Sequence, residues 1–132
     1  MNGQWQDLQV ALDKILQKLI PRLLGALVAE GRTIKPSLTH GDLWEGNIGT
    51  DSVTGNLYVF DAASYYAHNE MELGIWRCDH HRLKSKAYKT EYLRNFEASE
   101  PIDEWDDRNR LYSVKTQLMY SAHVPGTIIR QS

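Results

Sequence analysis

A chain of 132 residues with a net charge of −2 can bury one hydrophobic core, so a single domain over residues 1–132 is expected. Its 42% hydrophobic and 24% charged content is ordinary for a soluble globular protein, and no basic run tracks phosphates, which excludes nucleic acid as an expected partner. One cysteine, Cys78, excludes an internal disulfide framework; no apolar stretch reaches membrane-spanning length and Met1-Asn2-Gly3-Gln4 lacks a signal pattern, so a cytoplasmic chain without membrane contact is expected.

Trp5, Leu8, Leu12, Ile15, Leu16 and Leu19 recur at three- and four-residue spacing, with Asp7, Asp13, Lys14, Gln17 and Lys18 on the other faces. This predicts an amphipathic helix. Pro21 cannot continue it without losing a hydrogen bond but suits the first turn of a new helix. Leu23, Leu24, Leu27 and Val28 carry that second helix to Glu30, with Gly31 as its C-terminal cap. Helical spacing favours core packing for these leucines over a partner groove. The first helix can nonetheless expose apolar surface, and self-association through it is an expectation to be tested.

Lys35-Pro36-Ser37 is pushed out of helical conformation, and Leu38-Thr39 can form a short strand delivering His40. His40-Gly41-Asp42-Leu43-Trp44-Glu45-Gly46-Asn47 has the spacing of a kinase catalytic loop: His-x-Asp, four residues, Asn. The following stretch predicts a β-hairpin: Ile48-Gly49 begins one strand, Thr54-Gly55-Asn56 turns, and Leu57-Tyr58-Val59-Phe60 is a strand aimed at Asp61. Asp42 can orient an acceptor hydroxyl and take its proton late. Asn47 and Asp61 supply hard oxygens to Mg²⁺ between the phosphates of ATP. His40 is expected to pack and bond to backbone rather than react. Trp44 can stack on a sugar ring or simply pack, and both readings stand. No Gly-rich phosphate loop and no strand lysine precede His40, so the chain reads as the larger lobe of a two-lobed kinase without its partner, and as poorly active alone.

Residues 62–68 are too short for a protein-kinase activation segment, which favours a small-molecule acceptor or an exposed side chain. Tyr65, Tyr66 and His68 can line an acceptor pocket, though tyrosines after a strand also pack. Asn69 is expected to cap a helix with Glu70 and Glu72 in its first turn and Met71, Ile75 and Trp76 facing inward. Cys78-Asp79-His80-His81 places only Cys78 and His81 on one helical face, too few ligands for zinc. Tyr88, Tyr92, Leu93 and Phe96 mark another helix. A last long helix, capped by Asp103, carries Trp105, Leu111, Tyr112, Val114, Leu118 and Met119, and its run Asp106-Asp107-Arg108-Asn109-Arg110 reads as a solvated face. It is expected to end at His123-Val124-Pro125-Gly126, with the last residues frayed.

His-Gly-Asp-Leu-Trp-x-Gly-Asn, then Phe-Asp-x-Ala-Ser-Tyr-Tyr-x-His and Glu-Met-Glu-Leu-Gly-Ile, resembles the C-terminal part of the fructosamine kinase (ketosamine-3-kinase) family. That family belongs to the aminoglycoside-phosphotransferase and choline-kinase group. The resemblance covers residues 36 to about 78 strongly and the helical tail more loosely, and it departs at Ala62, where those kinases usually carry Pro. It implies an α+β, mainly helical fold: the C-terminal lobe of a protein-kinase-like fold, with a small β-hairpin at the site. It also implies ATP- and Mg²⁺-dependent phosphorylation of a ketosamine 3-hydroxyl, with deglycation following from breakdown of the product. In the wider group an acidic residue near the start of the helix after the site supports the catalytic loop, which nominates Glu72, with dipole stabilisation as the other reading. An aminoglycoside- or choline-like acceptor, and a non-catalytic lobe that binds a partner, remain alternative readings.

Overall fold

The computed structural model describes the backbone of residues 2–123 and the side chains of residues 6–122. The expected tail at 124–126 and the side chain of Trp5 lie outside the described residues. Secondary structure is mostly helical, with two small antiparallel sheets, an α+β arrangement.

The first two helices are joined without a break. α1 (Asn2–Lys14) passes into a π-helical stretch, Ile15–Leu19, and then into α2 (Ile20–Val28), with Pro21 in the first turn. A proline at 21 would press on the carbonyl of residue 17 in a regular α-helix. Here the helix widens, and the Ile20 N–H bonds back to the Ile15 carbonyl, accommodating the ring without a kinked break. Leu23 and Leu27 are buried, whereas Leu8, Val10, Leu16 and Leu19 remain exposed, Leu16 at 61%. α2 stops at Val28, short of Glu30. The chain then tightens into a 3₁₀ turn, Ala29–Gly31, with Glu30 at φ 56° and Gly31 at φ 77°. The Ala26 carbonyl accepts the Ala29 N–H and also the Arg32 guanidinium (Nη2–O 2.8 Å).

β1 (Ser37–Thr39) pairs with β4 (Tyr65–Ala67), and β2 (Ile48–Thr50) pairs with β3 (Leu57–Val59). At the tip of the second pair the Asp51 carboxylate accepts from the Val53 and Thr54 N–H groups, and Gly55 takes φ 74° to bring the chain round. Tyr65 and Tyr66 thus belong to a strand, with Thr39 opposite Tyr65.

The stretch after β4 is not the α-helix capped by Asn69 that its sequence suggests. It is a 3₁₀ segment, Asn69–Arg77, flanked by His68, which gives no side-chain cap. Neighbours take the carbonyls that a regular helix would use: Tyr92 Oη donates to the Asn69 carbonyl (3.2 Å) and Asn109 Nδ2 to the Leu73 carbonyl (3.1 Å). Gly74 lies against the Tyr112 carbonyl; a Cβ there would sit 2.9 Å from its oxygen. Leu73, Ile75, Trp76 and Leu83 form the core, with Leu43, Trp44, Ile48, Tyr92 and Trp105 packed around them.

α3 (Lys86–Asn95) begins at a Ser85 cap, and α4 (Trp105–His123) begins after a 3₁₀ turn, Ile102–Glu104. Asp103 lies inside that turn and does not cap α4. The charged run in α4 is not a solvated face throughout. Arg108 and Asn109 are both 0% exposed. Arg108 holds Glu70 (Nε–Oε2 2.7 Å, Nη2–Oε1 3.0 Å) and also donates to the Ser99 and Pro101 carbonyls. Only with Glu70 buried on the facing segment does an arginine tolerate that position.

Candidate functional site

β1 ends at Thr39, and the next residues leave the sheet as a loop held from one side by Glu72. Its Oε2 accepts the His40 N–H (2.5 Å) and its Oε1 the Gly41 N–H (3.1 Å). Gly41 adopts φ 81°, and a Cβ there would meet the Ala63 carbonyl oxygen at 2.3 Å, so this approach of two backbones excludes any larger residue.

Asn47 closes the 3₁₀ turn Glu45–Asn47 and is buried at 5% exposure. Its Nδ2 donates to the Asp42 carbonyl (2.8 Å) and to Asp42 Oδ2 (3.1 Å), while its backbone carbonyl accepts from Phe60 N–H (3.1 Å). One side chain and one peptide group therefore tie the loop to the end of the hairpin, one residue from Asp61. The His40 ring makes a second tie: Nε2 donates to the Phe60 carbonyl (3.0 Å), with Nδ1 left facing the Asp42 N–H at 3.4 Å. Asp61 is exposed and holds φ 55°, a left-handed conformation uncommon for a residue with a side chain.

Asn47 Nδ2 is committed to Asp42, so its amide oxygen is the atom left for a cation, and Asp61 offers an exposed carboxylate. Two hard oxygens suit Mg²⁺, which completes its shell with water and phosphate, better than a soft metal. Among the described residues no group of three His, Cys, Asp or Glu side chains is placed to hold a metal ion. Cys78 is buried, with burial pushing its thiol pKa up.

Asp42 opens onto a cavity of about 650 Å³ shared with Gly41, Trp44, Ala63, Tyr65 and Ile75, and closed on the α4 side by Lys115, Thr116, Met119 and Tyr120. Trp44 has both characters: its ring packs on the core and lines the cavity. Tyr65 lines it as well. His68 does not; it is buried and bonded through Nδ1 to the Tyr112 hydroxyl and through Nε2 to Ser99 Oγ, both at 2.8 Å. It faces a separate apolar groove of about 560 Å³ between the first helices and α4.

The α4 wall and the His81 neighbourhood are what reading the sequence missed. Nothing in local periodicity marks Lys115 or Tyr120, since the loop they face lies more than sixty positions earlier in the chain. His81 is buried, with Nε2 at 3.2 Å from the Tyr120 hydroxyl and Nδ1 at 3.4 Å from Glu45 Oε2. Burial, aided by His80, lowers the His81 pKa against the opposing pull of Glu45 and Asp42. Burial raises that of Tyr120, and the Asp42 charge pushes the same way. For Glu45 burial acts upward, but the Arg82 N–H (3.1 Å) and other hydrogen bonds, together with His81, bring the net shift down.

A fructosamine kinase family model matches residues 2–131. The chain is 49% identical over 49 residues to a chloroplastic protein-ribulosamine 3-kinase of Oryza sativa subsp. japonica, covering 37% of this chain and 14% of that protein. It is 48% identical over 60 residues to the ketosamine-3-kinase of Mus musculus, covering 46% and 17%. To a probable ketoamine kinase of Synechocystis it is 37% identical over 73 residues, covering 55% and 21%. These matches therefore span under a quarter of each relative's own length, and the plant relative's name places it in the chloroplast, so kinship does not set this chain's compartment. No described helix is long and apolar enough to cross a membrane. With residues 2–131 of its 132 matched by that family model, the chain belongs to the fructosamine kinase family.

Proposed function

We propose that this chain is the acceptor- and metal-holding lobe of a protein-kinase-like phosphotransferase that uses ATP and Mg²⁺ to phosphorylate a hydroxyl of a ketosamine sugar. The observation that carries this reading is the arrangement at Asp42. Its carboxylate opens onto the cavity while Asn47 holds its backbone and one of its oxygens, and Glu72 fixes the two residues before it. A carboxylate so restrained orients an acceptor hydroxyl and receives its proton as the oxygen–phosphorus bond forms. Asn47 and Asp61 would hold Mg²⁺, which supplies charge neutralisation on the phosphates as the bond to the leaving oxygen breaks.

Trp44 and Tyr65 give the cavity aromatic walls suited to the apolar face of a sugar ring. The relatives named ketosamine- and ribulosamine-kinases favour a glycated amine as acceptor. A 3-phosphorylated ketosamine breaks down and frees its amine, so deglycation would follow. Without a strand lysine and Gly-rich loop over the phosphates, the chain by itself should turn over little.

Joining the chain to a family N-terminal lobe should restore Mg²⁺-dependent transfer from ATP to a ketosamine. Asp42→Ala in that protein should lower turnover by roughly 10²–10⁴-fold while ATP binding by calorimetry stays near wild type. A folded two-lobed protein without turnover would rule out the kinase reading; an active Asp42→Ala variant would rule out the role given to Asp42.

A further inference from the structure

Lys115 is the positive group of the Asp42 cavity. Its Nζ donates to the Tyr65 hydroxyl at 2.9 Å and lies 4.5 Å from the centre of the same ring. Both contacts are with a neutral side chain. Among the described residues no ion pair includes it, so the ammonium reaches the cavity without a carboxylate at ion-pair distance. Asp42 is the carboxylate on the same cavity; the Asn47 amide that bonds it is neutral, and one carboxylate can balance one cation there but not two. The remaining walls, Trp44, Ile75, Met119 and Tyr120, bring no charge when Tyr120 is a neutral phenol, and burial and Asp42 both keep it so.

A ketosamine carries an amine nitrogen next to the sugar, and that nitrogen is cationic when protonated. A second cation facing it is unfavourable unless the acceptor brings an anion of its own. We infer that Lys115 selects a carboxylate-bearing acceptor: a small ketosamine formed on the α-amino group of a free amino acid, whose carboxylate lies two bonds from the nitrogen. An adduct on a protein lysine side chain has no such group nearby. Tyr65 fixes where the ammonium waits, through its hydroxyl at one end and its ring face along the side. A cavity of about 650 Å³ holds a sugar and a short amino acid together, with the hydroxyls toward Asp42 and the carboxylate toward α4. This selectivity rests on the ketosamine-kinase reading above and narrows it.

The test is calorimetry on this chain with two probes, the fructosyl adduct of glycine and that of glycinamide, on wild type, Lys115→Met and Lys115→Arg. The four combinations of probe and Lys115→Met form a cycle that separates the coupling to the carboxylate from other differences between the probes. Wild type should prefer the acid by roughly two- to fivefold, as expected for an ion pair with an ammonium that stays exposed to solvent. Lys115→Met should lose that preference and Lys115→Arg should keep it. Equal binding of acid and amide by wild type overturns the inference and leaves the ketosamine reading intact, and so does an undiminished preference in Lys115→Met. The wild-type comparison needs no variant to fold. Failure of both probes to bind overturns the ketosamine reading and the inference with it.

Discussion

His68 shows how a histidine next to a proposed site can have a structural task. It bridges β4 to α4 through Tyr112 and to the Ser99 loop, and it is buried. Burial lowers its pKa from the usual 6.5, with Glu70 pulling it back up and Arg108 pushing it further down. The neutral ring is therefore the form the fold accepts. The unfolded chain begins to take up a proton as pH falls through 6.5, while the folded chain does so only at lower pH, so the folded state loses ground across that interval. His81 shifts in the same direction and adds to the effect. Stability should be full above pH 6.5 and decline below it. Thermal melts at pH 7.5 and 5.5 should show this, and His68→Gln should reduce the difference between them. An unchanged difference in that variant would remove His68 from the explanation.

At the scale of elements, the buried Glu70–Arg108 pair joins the 3₁₀ segment Asn69–Arg77 to α4 and gathers the Ser99–Pro101 loop onto both. Arg108→Met leaves Glu70 charged, buried and without its cation, which should cost about 3–5 kcal/mol. The double variant Glu70→Leu with Arg108→Met should be less damaged than either single change, since no lone charge remains. Urea unfolding of the three variants checks this, and additive losses would mean the two side chains act independently. This pair also marks where the sequence stops being legible. Arg108 sits in a run of charges that reads as solvent-facing on any local criterion, and its burial depends on a glutamate 38 positions away. The hairpin of β2 and β3 could be read because the apolar run Leu57-Tyr58-Val59-Phe60 and the Thr54-Gly55-Asn56 turn are local. β4 could not, since three residues without a flanking turn become a strand only by meeting Ser37–Thr39. The same holds for the site. His40, Asp42, Asn47 and Asp61 stand out as a spaced motif, whereas Lys115 and Tyr120 reach the cavity through packing that no window of sequence contains. The π-helical stretch belongs with these: Pro21 signals a boundary, and only the packed structure decides that the helix widens instead of stopping.

For the whole molecule, the pairing of β1 with β4 has a topological consequence. Residues 40–64 leave and re-enter the body at one place, where Thr39 lies opposite Tyr65 and its hydroxyl donates to the Tyr65 carbonyl at 2.8 Å. Both halves of that excursion are fastened separately: the Asp42–Asn47 loop by Glu72, which holds the His40 and Gly41 N–H groups before it, and by Leu43 and Trp44 on the core, and the Asp61 end by the strand β4 that follows it. Continuity of the chain at the far tip, where Val53 is 91% exposed, is thus not what keeps the proposed catalytic groups together. A protease cut confined to Val53–Gly55 should yield two fragments that stay associated and migrate as one species without denaturant, with the loop and the hairpin end still joined through Asn47 and Phe60. Spontaneous separation of the fragments would show that the tip carries the assembly. Held together, they would mean that this segment can be opened, lengthened or given a new pair of termini at its tip while the geometry around Asp42 persists.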